Sequence, residues 1–588
     1  METQRGIRHI PAIDGLRAVA VIAVMLYHLG FSWIPGGFLG VDLFFVISGY
    51  VITRLLLDSI QRSGGLDLRG FYLARIRRLL PALVFMVFST ALFISVWAPE
   101  TVKRFVTDIP FVVSGSMNWA LVYRHQDYFE AIGRPPLLQH TWSLAVESQF
   151  YLLWPLILLL VLKQFGKNKI PSAALAIAGF SGIALLVLSM RMDASNAQSV
   201  SHVYFGTDTH SIGLFLGAAL AVSWIPQNLT IHIEKRAQDF IDAIGVFGLL
   251  GLLACFLFIT ESDATLYRLA FPLAGIFGCA IIMSLVHPAS RFAPMLSSKP
   301  ILWIGQRSYA IYLWHWIVFQ LTRPSVDLAG SVWALYALRI LVVFALADIS
   351  LRWVELPIRS DVVGAWFRGM KYRTKRVRIR QQIAVLSGIV ALVASTSFVS
   401  ANAISSSNKV AAALKASLAA PIVTETPIIS NVPGIWLAGD SVILGIRYEL
   451  AQKEPIALIN ARVGRQAGEL ITVLLRDQAA MANSPIVLDL GNNNRLTEAE
   501  VAKVFDVIKN QPQIIIVNTA VPRGWRDEND ALIAKYARKY SQASLVDWKS
   551  ISEGHPEFFG PDGVHLLPAG ITVYVNAILE KIHAPEIK

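Results

Sequence analysis

From residue 11 to about 402 the chain alternates long apolar runs with short polar breaks; beyond that the hydrophobic period shortens. A membrane span needs about 20 mostly apolar residues. Eleven segments qualify: 11–31, 37–57, 80–98, 144–164, 171–190, 209–225, 241–260, 266–287, 302–322, 330–350 and 381–402. The stretch 105–123 is also apolar, but Asp108, Pro110 and Asn118 mark it as a loop or re-entrant piece. Later come short β-rich pieces, IWLA (435–438), IALIN (456–460), IVLDL (486–490), IIIVN (514–518) and SLVDW (544–548). Helical stretches near 442–452, 467–480, 497–510, 528–541 and 569–582 separate them. Strands alternating with helices predict a parallel sheet covered on both faces. The expected fold is a polytopic α-helical membrane domain, about ten core spans plus one linking span, followed by an α/β domain with a parallel sheet.

These patterns set the expected organisation. Residues 1–360 form the membrane domain, and 361–403 a basic loop with the last span. Residues 404–433 form a linker, and 434–588 the α/β domain. Composition agrees, with 54% hydrophobic and 16% charged residues, against a usual charged share of about 25%. The net charge of +12 raises nucleic acid as a partner, but its placement argues otherwise. Seven of the thirteen residues Arg368–Arg380 are basic and none is acidic, directly before the last span. Basic residues beside spans hold their loop on the cytoplasmic side, and they also attract anionic lipid headgroups. No nucleic-acid partner is expected. Arg5, Arg8, the arginines between spans two and three, and Lys163, Lys167 and Lys169 fall on that same side. The N-terminus is therefore expected inside, and an odd span count puts the α/β domain outside. Cys255 and Cys279 both sit in apolar segments, so no disulfide framework is read. The first apolar run leads straight into further spans without a signal-peptide cleavage pattern.

Polar groups inside spans are costly and draw attention to function. The first span carries Asp14, Arg17 and His28. Asp14 and Arg17 lie three apart on one helical face, and His28 is about 21 Å further along. On the residues alone, an ion pair at the helix entry with a hydrogen-bonded histidine at the far interface explains them equally well. FYLARIRRLLPAL, from Phe71, sets Arg75 and Arg78 one turn apart. Two guanidiniums on one face suit a phosphorylated cofactor, though retention of the loop inside explains them too. HTWSLAVESQFYLLWP, from His140, carries Glu147, with no partner evident in its own helix; RWVELPIR carries Glu355.

DGLRAVAVIAVMLYH followed by GGFLGVDLFFVISGYVIT resembles the opening of the acyltransferase-3 family of membrane acyltransferases. The likeness continues through FYLARIRRLLPAL, HTWSLAVESQFYLLWP, SYAIYLWHW and RWVELPIR, over roughly residues 8–360. It implies a ten-span core taking an acyl group, usually acetyl, from cytoplasmic acyl-coenzyme A. By motif position it implies that Arg75 and Arg78 handle the coenzyme. His28 would be the essential histidine, supported by Asp14 and Arg17, with Glu147 a functional acid.

In an open parallel sheet, ligands gather at the carboxyl ends of the strands. Four polar clusters fall there: Gly439-Asp440-Ser441, ARVG ending at Gly464, GNNN over 491–494, and DGVH over 562–565. Nucleophilic catalysis needs a serine, a base, a group orienting the base, and oxyanion donors. Ser441, His565 and Asp562 supply the first three. The amides of Ser441 and Gly464 with the Asn493 side chain supply the last. Singly, each cluster reads as well as a turn or a helix cap. Together they resemble the SGNH hydrolase family, with Ser441, Gly464, Asn493 and His565 at the four named positions. Val442 stands where fused relatives often carry histidine, and GNNN departs from the commoner Gly-Thr-Asn.

The two halves together resemble fused acyltransferase-3–SGNH enzymes that O-acetylate bacterial envelope glycans, similar to lipopolysaccharide O-antigen O-acetylases. The expected enzyme is an O-acetyltransferase of the bacterial inner (cytoplasmic) membrane, with the lipid bilayer and an envelope glycan as partners. Acetyl-coenzyme A is the expected donor, and no metal is expected. Peptidoglycan or exopolysaccharide as acceptor, a tethered acetylesterase, and a transporter with an accessory domain are the rival readings. Arg523 and Trp525 are candidates to line the acceptor site.

Overall fold

Eight helices among the described residues are long and apolar enough to cross a membrane. The computed structural model describes residues 10–31, 33–124, 135–191, 197–259, 266–323, 327–328, 331–388, 394, 397, 401, 428–429, 434–462, 464–560 and 563–584. They form two compact units, one holding most of residues 1–407 and the other residues 408–588.

The first span, Pro11–Leu29, starts with Pro at its first turn and stops at Gly30, whose φ of 88° lets its N–H reach back to the Leu26 and Tyr27 carbonyls. That stop leaves His28 in the last turn. The second span is Gly40–Ser63, and the third runs from Leu68 to Trp97, capped by the Asp67 carboxylate on Gly70 N. The third helix begins twelve residues before the expected 80–98, so Arg75 and Arg78 lie inside it rather than at its mouth. The fourth is Trp142–Phe165.

The count of eight differs from the eleven expected segments for local reasons. The 209–225 segment is the shorter helix Ile212–Ser223, ended before Pro226. The 302–322 segment is the 23-residue helix Lys299–Leu321, made more polar by Arg307, His315 and Gln320. The last segment, 381–402, runs largely outside the described residues. Region 105–123 folds as two short helices, Val102–Val113 and Met117–Tyr123, separated at Gly115 (φ 68°). Neither reaches the roughly 20 residues a span needs.

Small residues let the helices touch backbone to backbone. A Cβ on Gly49 would fall 1.9 Å from the Leu214 carbonyl oxygen, and one on Gly305 would fall 1.9 Å from that of Asp14. The second contact presses the first span onto Lys299–Leu321, which brings both ends of the first span beside that helix.

In the second unit, β1 (Ile428–Ile429), β2 (Ile435–Gly439), β3 (Ile456–Ala461), β4 (Ile486–Asp489), β5 (Ile514–Val517) and β6 (Ala543–Val546) form one sheet of order β1-β3-β2-β4-β5-β6. The five expected strands are parallel, and β1 adds an antiparallel edge against β3. Successive strand residues face opposite sides, and the core follows that rule. Trp436, Ala438, Ile486, Leu488, Ile514 and Ile516 pack on one face. Ile435, Leu437, Val487, Ile515 and Val517 pack on the other, with Tyr574, Val575 and Ile578 of the last helix. The chain leaves β2 for β3 on one side, then crosses to β4 on the other. The crevice for a ligand therefore opens at the carboxyl ends of β2 and β4.

Candidate active sites

The membrane unit encloses a cavity of about 730 Å³ whose walls include Arg17, Arg75, Arg78, Ser48, Glu147 and Tyr151. Four spans contribute them, so four of the residues singled out in the sequence converge on one space. Arg17 is anchored by Asp14 at 2.8 Å. Glu147 meets the Ser48 hydroxyl, which donates to it at 2.5 Å, and Tyr151 OH donates to Ser48 Oγ at 3.3 Å. The partner that Glu147 lacks in its own helix is thus supplied by the second span, 99 residues away. Three guanidiniums face one carboxylate, which makes the cavity a receptor for an anion; guanidinium groups bind phosphate oxygens in pairs. Glu355 sits in a π-helical turn, Ser350–Glu355, within electrostatic reach of Arg78 and Arg359.

His28 is not among the cavity-lining residues. Its Nδ1 is 3.1 Å from His315 Nε2, and its ring packs edge-on against Trp316 at 4.9 Å. His140 packs beside His315, with ring centroids 6.0 Å apart. Tyr312 connects the two places: it lines the cavity and donates its hydroxyl to the His140 carbonyl at 2.9 Å. Ser48, Tyr151, Tyr312, His140 and His315 escaped assignment in the sequence. The last three lie in the quoted motifs HTWSLAVES and SYAIYLWHW; Ser48 and Tyr151 carried no separate signal.

In the second unit, Ser441 opens the helix Ser441–Ala451 immediately after β2, and it is buried. Its backbone N–H belongs to the first helical turn, where no intrahelical acceptor exists. Asp440 caps the helix by accepting from Val442 N at 2.9 Å. Asn492 and Asn493 both donate to the other Asp440 oxygen, at 3.1 and 2.9 Å. The GNNN turn therefore grips the GDS turn, tying the ends of β4 and β2 together. The Asn493 amide also donates to the Arg465 carbonyl at 3.2 Å, so its two N–H groups hold the turn in this geometry. Asn492 donates as well to Asp489 at 2.8 Å, and Tyr574 OH donates to Asp489 at 2.9 Å.

Two buried carboxylates thus share one amide. Burial, and then the nearby Asp440 charge, hold the Asp489 carboxyl well above the usual carboxylate range. Burial also pushes Asp440 up, opposed by the Val442 N–H and Asn492. Asp489 is the member that keeps its proton. Gly464 takes a left-handed φ of 76° in the turn after β3. Beside it, Arg465 donates to the carbonyls of Asn460 (2.5 Å) and Gly439 (3.2 Å), locking the ends of β2 and β3.

His565 lies within electrostatic reach of Asp440, which brings it to the GDS turn. Its carbonyl accepts from Gly560 N at 2.7 Å, and a β-bridge joins Phe559 to Leu566 beside it. Asp562 lies outside the described residues. Arg523 stands 6.0 Å from the Trp525 ring, just before the helix Arg526–Lys539.

Residues 10–352 match the family model described as an acyltransferase domain. The chain is 35% identical to the peptidoglycan O-acetyltransferase OatA of Listeria monocytogenes, with 97% of each chain covered. It is 36% identical to the O-acetyltransferase OatA of Staphylococcus aureus, covering 97% of this chain and 96% of that one. It is 30% identical to the putative peptidoglycan O-acetyltransferase YrhL of Bacillus subtilis, covering 97% and 98%.

Proposed function

The chain belongs to the acyltransferase family and is a multi-pass membrane O-acetyltransferase, and on that premise we propose that it passes acetyl through Ser441 to peptidoglycan. The observation that carries the proposal is the serine at the mouth of the β2–β4 crevice, held by Asp440, Asn492 and Asn493 in one chain with an acyltransferase domain. The relatives' names favour peptidoglycan as acceptor over O-antigen, the acceptor suggested by motif resemblance.

Acetyl-coenzyme A is the donor in this reading. Arg75 and Arg78, with Arg17 beside them, bind its phosphates, and Glu147 sets the opposite wall of the cavity. Asp14 holds Arg17 in place, and His28 is the acid/base of the membrane half. Domain limits follow the sequence: 1–360 for transfer across the membrane, 361–403 for the basic loop and last span, 404–433 for the linker, 434–588 for delivery. The N-terminus faces the cytoplasm and the α/β domain faces outward from the cytoplasmic membrane.

In delivery, Ser441 Oγ attacks the acetyl carbonyl while His565 takes the hydroxyl proton, with Asp562 orienting the imidazole. The Ser441 and Gly464 amides receive the oxyanion. Asn493 keeps the serine turn rigid and presents its amide to the same crevice. Collapse expels the donor group, which leaves with the proton, and an acetyl-serine ester remains. A glycan hydroxyl then attacks the ester, giving its proton to His565, and the Ser441 oxygen recovers one on release. Mass spectrometry of wall glycans with Ser441→Ala replacing the native gene tests this. Loss of O-acetyl with the protein still inserted is expected; native O-acetyl levels would overturn the relay.

A further inference from the structure

The membrane unit contains two buried histidine pairings, and only one leaves a ring nitrogen open. His210 uses both nitrogens: Nδ1 meets the Tyr204 carbonyl at 2.6 Å and Nε2 meets Asp42 Oδ1 at 3.1 Å. That ring is closed to a reacting group. The pair made by His28 and His315 is arranged differently.

His315 Nδ1 lies 2.7 Å from the Tyr312 carbonyl oxygen, and its ring also reaches the Ile311 carbonyl. A carbonyl oxygen only accepts, so Nδ1 carries the proton, and in a neutral ring Nε2 then carries the lone pair. That Nε2 is 3.1 Å from His28 Nδ1. His28 Nδ1 must therefore be the donor, and the Val24 carbonyl is a second acceptor within reach of the His28 ring. By the same rule the lone pair of His28 resides on Nε2. The reverse assignment would require a doubly protonated, cationic His315 at a position with no solvent exposure, an expensive place for a charge. His140 does not compete, because its Nε2 is engaged by the Leu313 carbonyl at 3.1 Å.

We propose that His315 is a positioning residue for acyl transfer: its Nε2 accepts from His28 Nδ1 and so fixes the tautomer that presents His28 Nε2 as the base. The inference rests on the reading of His28 as acid/base of the membrane half. The attacking group gives its proton to His28 Nε2 and the leaving group later takes that proton back. Throughout, the Nδ1–H stays on His315, and the edge-on Trp316 ring at 4.9 Å helps carry the transient charge.

The test uses the full chain in liposomes, with kcat and KM for the acyl donor measured on His28→Ala, His315→Gln and His315→Leu. The glutamine oxygen reaches the place of Nε2 and accepts; leucine cannot. A kcat loss of about 30-fold or more is expected for His315→Leu, within the range positioned acid/base groups supply, with donor KM nearly unchanged. His315→Gln should recover most of that loss. If His315→Leu fails to insert, His315→Asn, polar but too short to reach His28, takes its place with the same expected loss. Equal impairment of the glutamine and leucine (or asparagine) variants, or a change confined to KM, overturns the role of His315. Full activity in His28→Ala overturns the underlying reading and this inference together.

Discussion

The two halves of this protein assemble their candidate sites by opposite routes. In the α/β unit, every strand delivers its carboxyl end to one edge, so residues just past β2 and β4 must meet; Asp440 and Asn492–Asn493 do so through 3.1 and 2.9 Å bonds. In the membrane unit each helix presents side chains all round, and a site forms only where particular faces are pressed together. Ser48 meets Glu147 across 99 residues of sequence, and His28 meets His315 across 287. A sheet therefore turns sequence position into spatial position by topology alone, whereas a bundle does so only through packing detail such as the close approach at Gly305.

The comparison is broken most severely by disabling one half while sparing the other. His565→Ala should lower glycan acetylation on the order of 10³-fold or more, while consumption of acyl donor by the membrane half continues; donor turnover that stops as well would mean that the two sites are not separate stages. Next in size is the cavity. Arg75→Ala and Arg78→Ala each remove charge-assisted bonds that contribute about 1.5–3 kcal/mol, so donor KM should rise roughly 10- to 100-fold. Lysine at either position should restore only part of that, since it lacks the forked donor geometry. Isothermal calorimetry with coenzyme A reads the same loss without turnover.

A smaller effect sharpens the sheet side. Asn492→Ala leaves Asp440 and Asp489 facing each other without their shared amide, and should cost about 1–3 kcal/mol of stability, read as a lower unfolding midpoint in detergent. The smallest effect is a pH slope. Asp489 holds its proton well above the 3.8 usual for aspartate, chiefly because it is buried. Its contribution to stability is thus complete below about pH 4 and is lost as pH rises toward the folded-state value, because the unfolded chain gives up the proton first. Asp489→Asn should flatten that slope while leaving the low-pH midpoint nearly unchanged; an identical slope in the variant would show that Asp489 is charged in the fold.

Legibility in the sequence followed the same division. All five parallel strands and the serine turn were readable, because period-two alternation and turn chemistry are local signals. Asp440 lay inside the quoted GDS, yet its role as the anchor for two asparagines depends on β2 and β4 being neighbours, which no local pattern states. Arg17, Arg75, Arg78 and Glu147 stood out as charges in apolar runs. Ser48 and Tyr151 did not, since a hydroxyl in a span is ordinary and their bonds exist only once the second and fourth spans touch. His315 lay in a recognised motif without a role, because its meaning is the tautomer it imposes on a ring 287 positions away. The third helix began earlier than hydropathy indicated because its first turns are cationic and extend past the apolar stretch.

The central claim is that acetyl passes through Ser441, and peptide mass spectrometry of the full-length protein tests it most directly. The protein in liposomes is supplied with acetyl-coenzyme A and no glycan, quenched in acid and digested. The account predicts an acetyl ester on the peptide containing Ser441, absent from Ser441→Ala and from the Arg75→Ala/Arg78→Ala double variant, and discharged when peptidoglycan fragments are added. Transfer of acetyl to those fragments by Ser441→Ala at the native rate would contradict it.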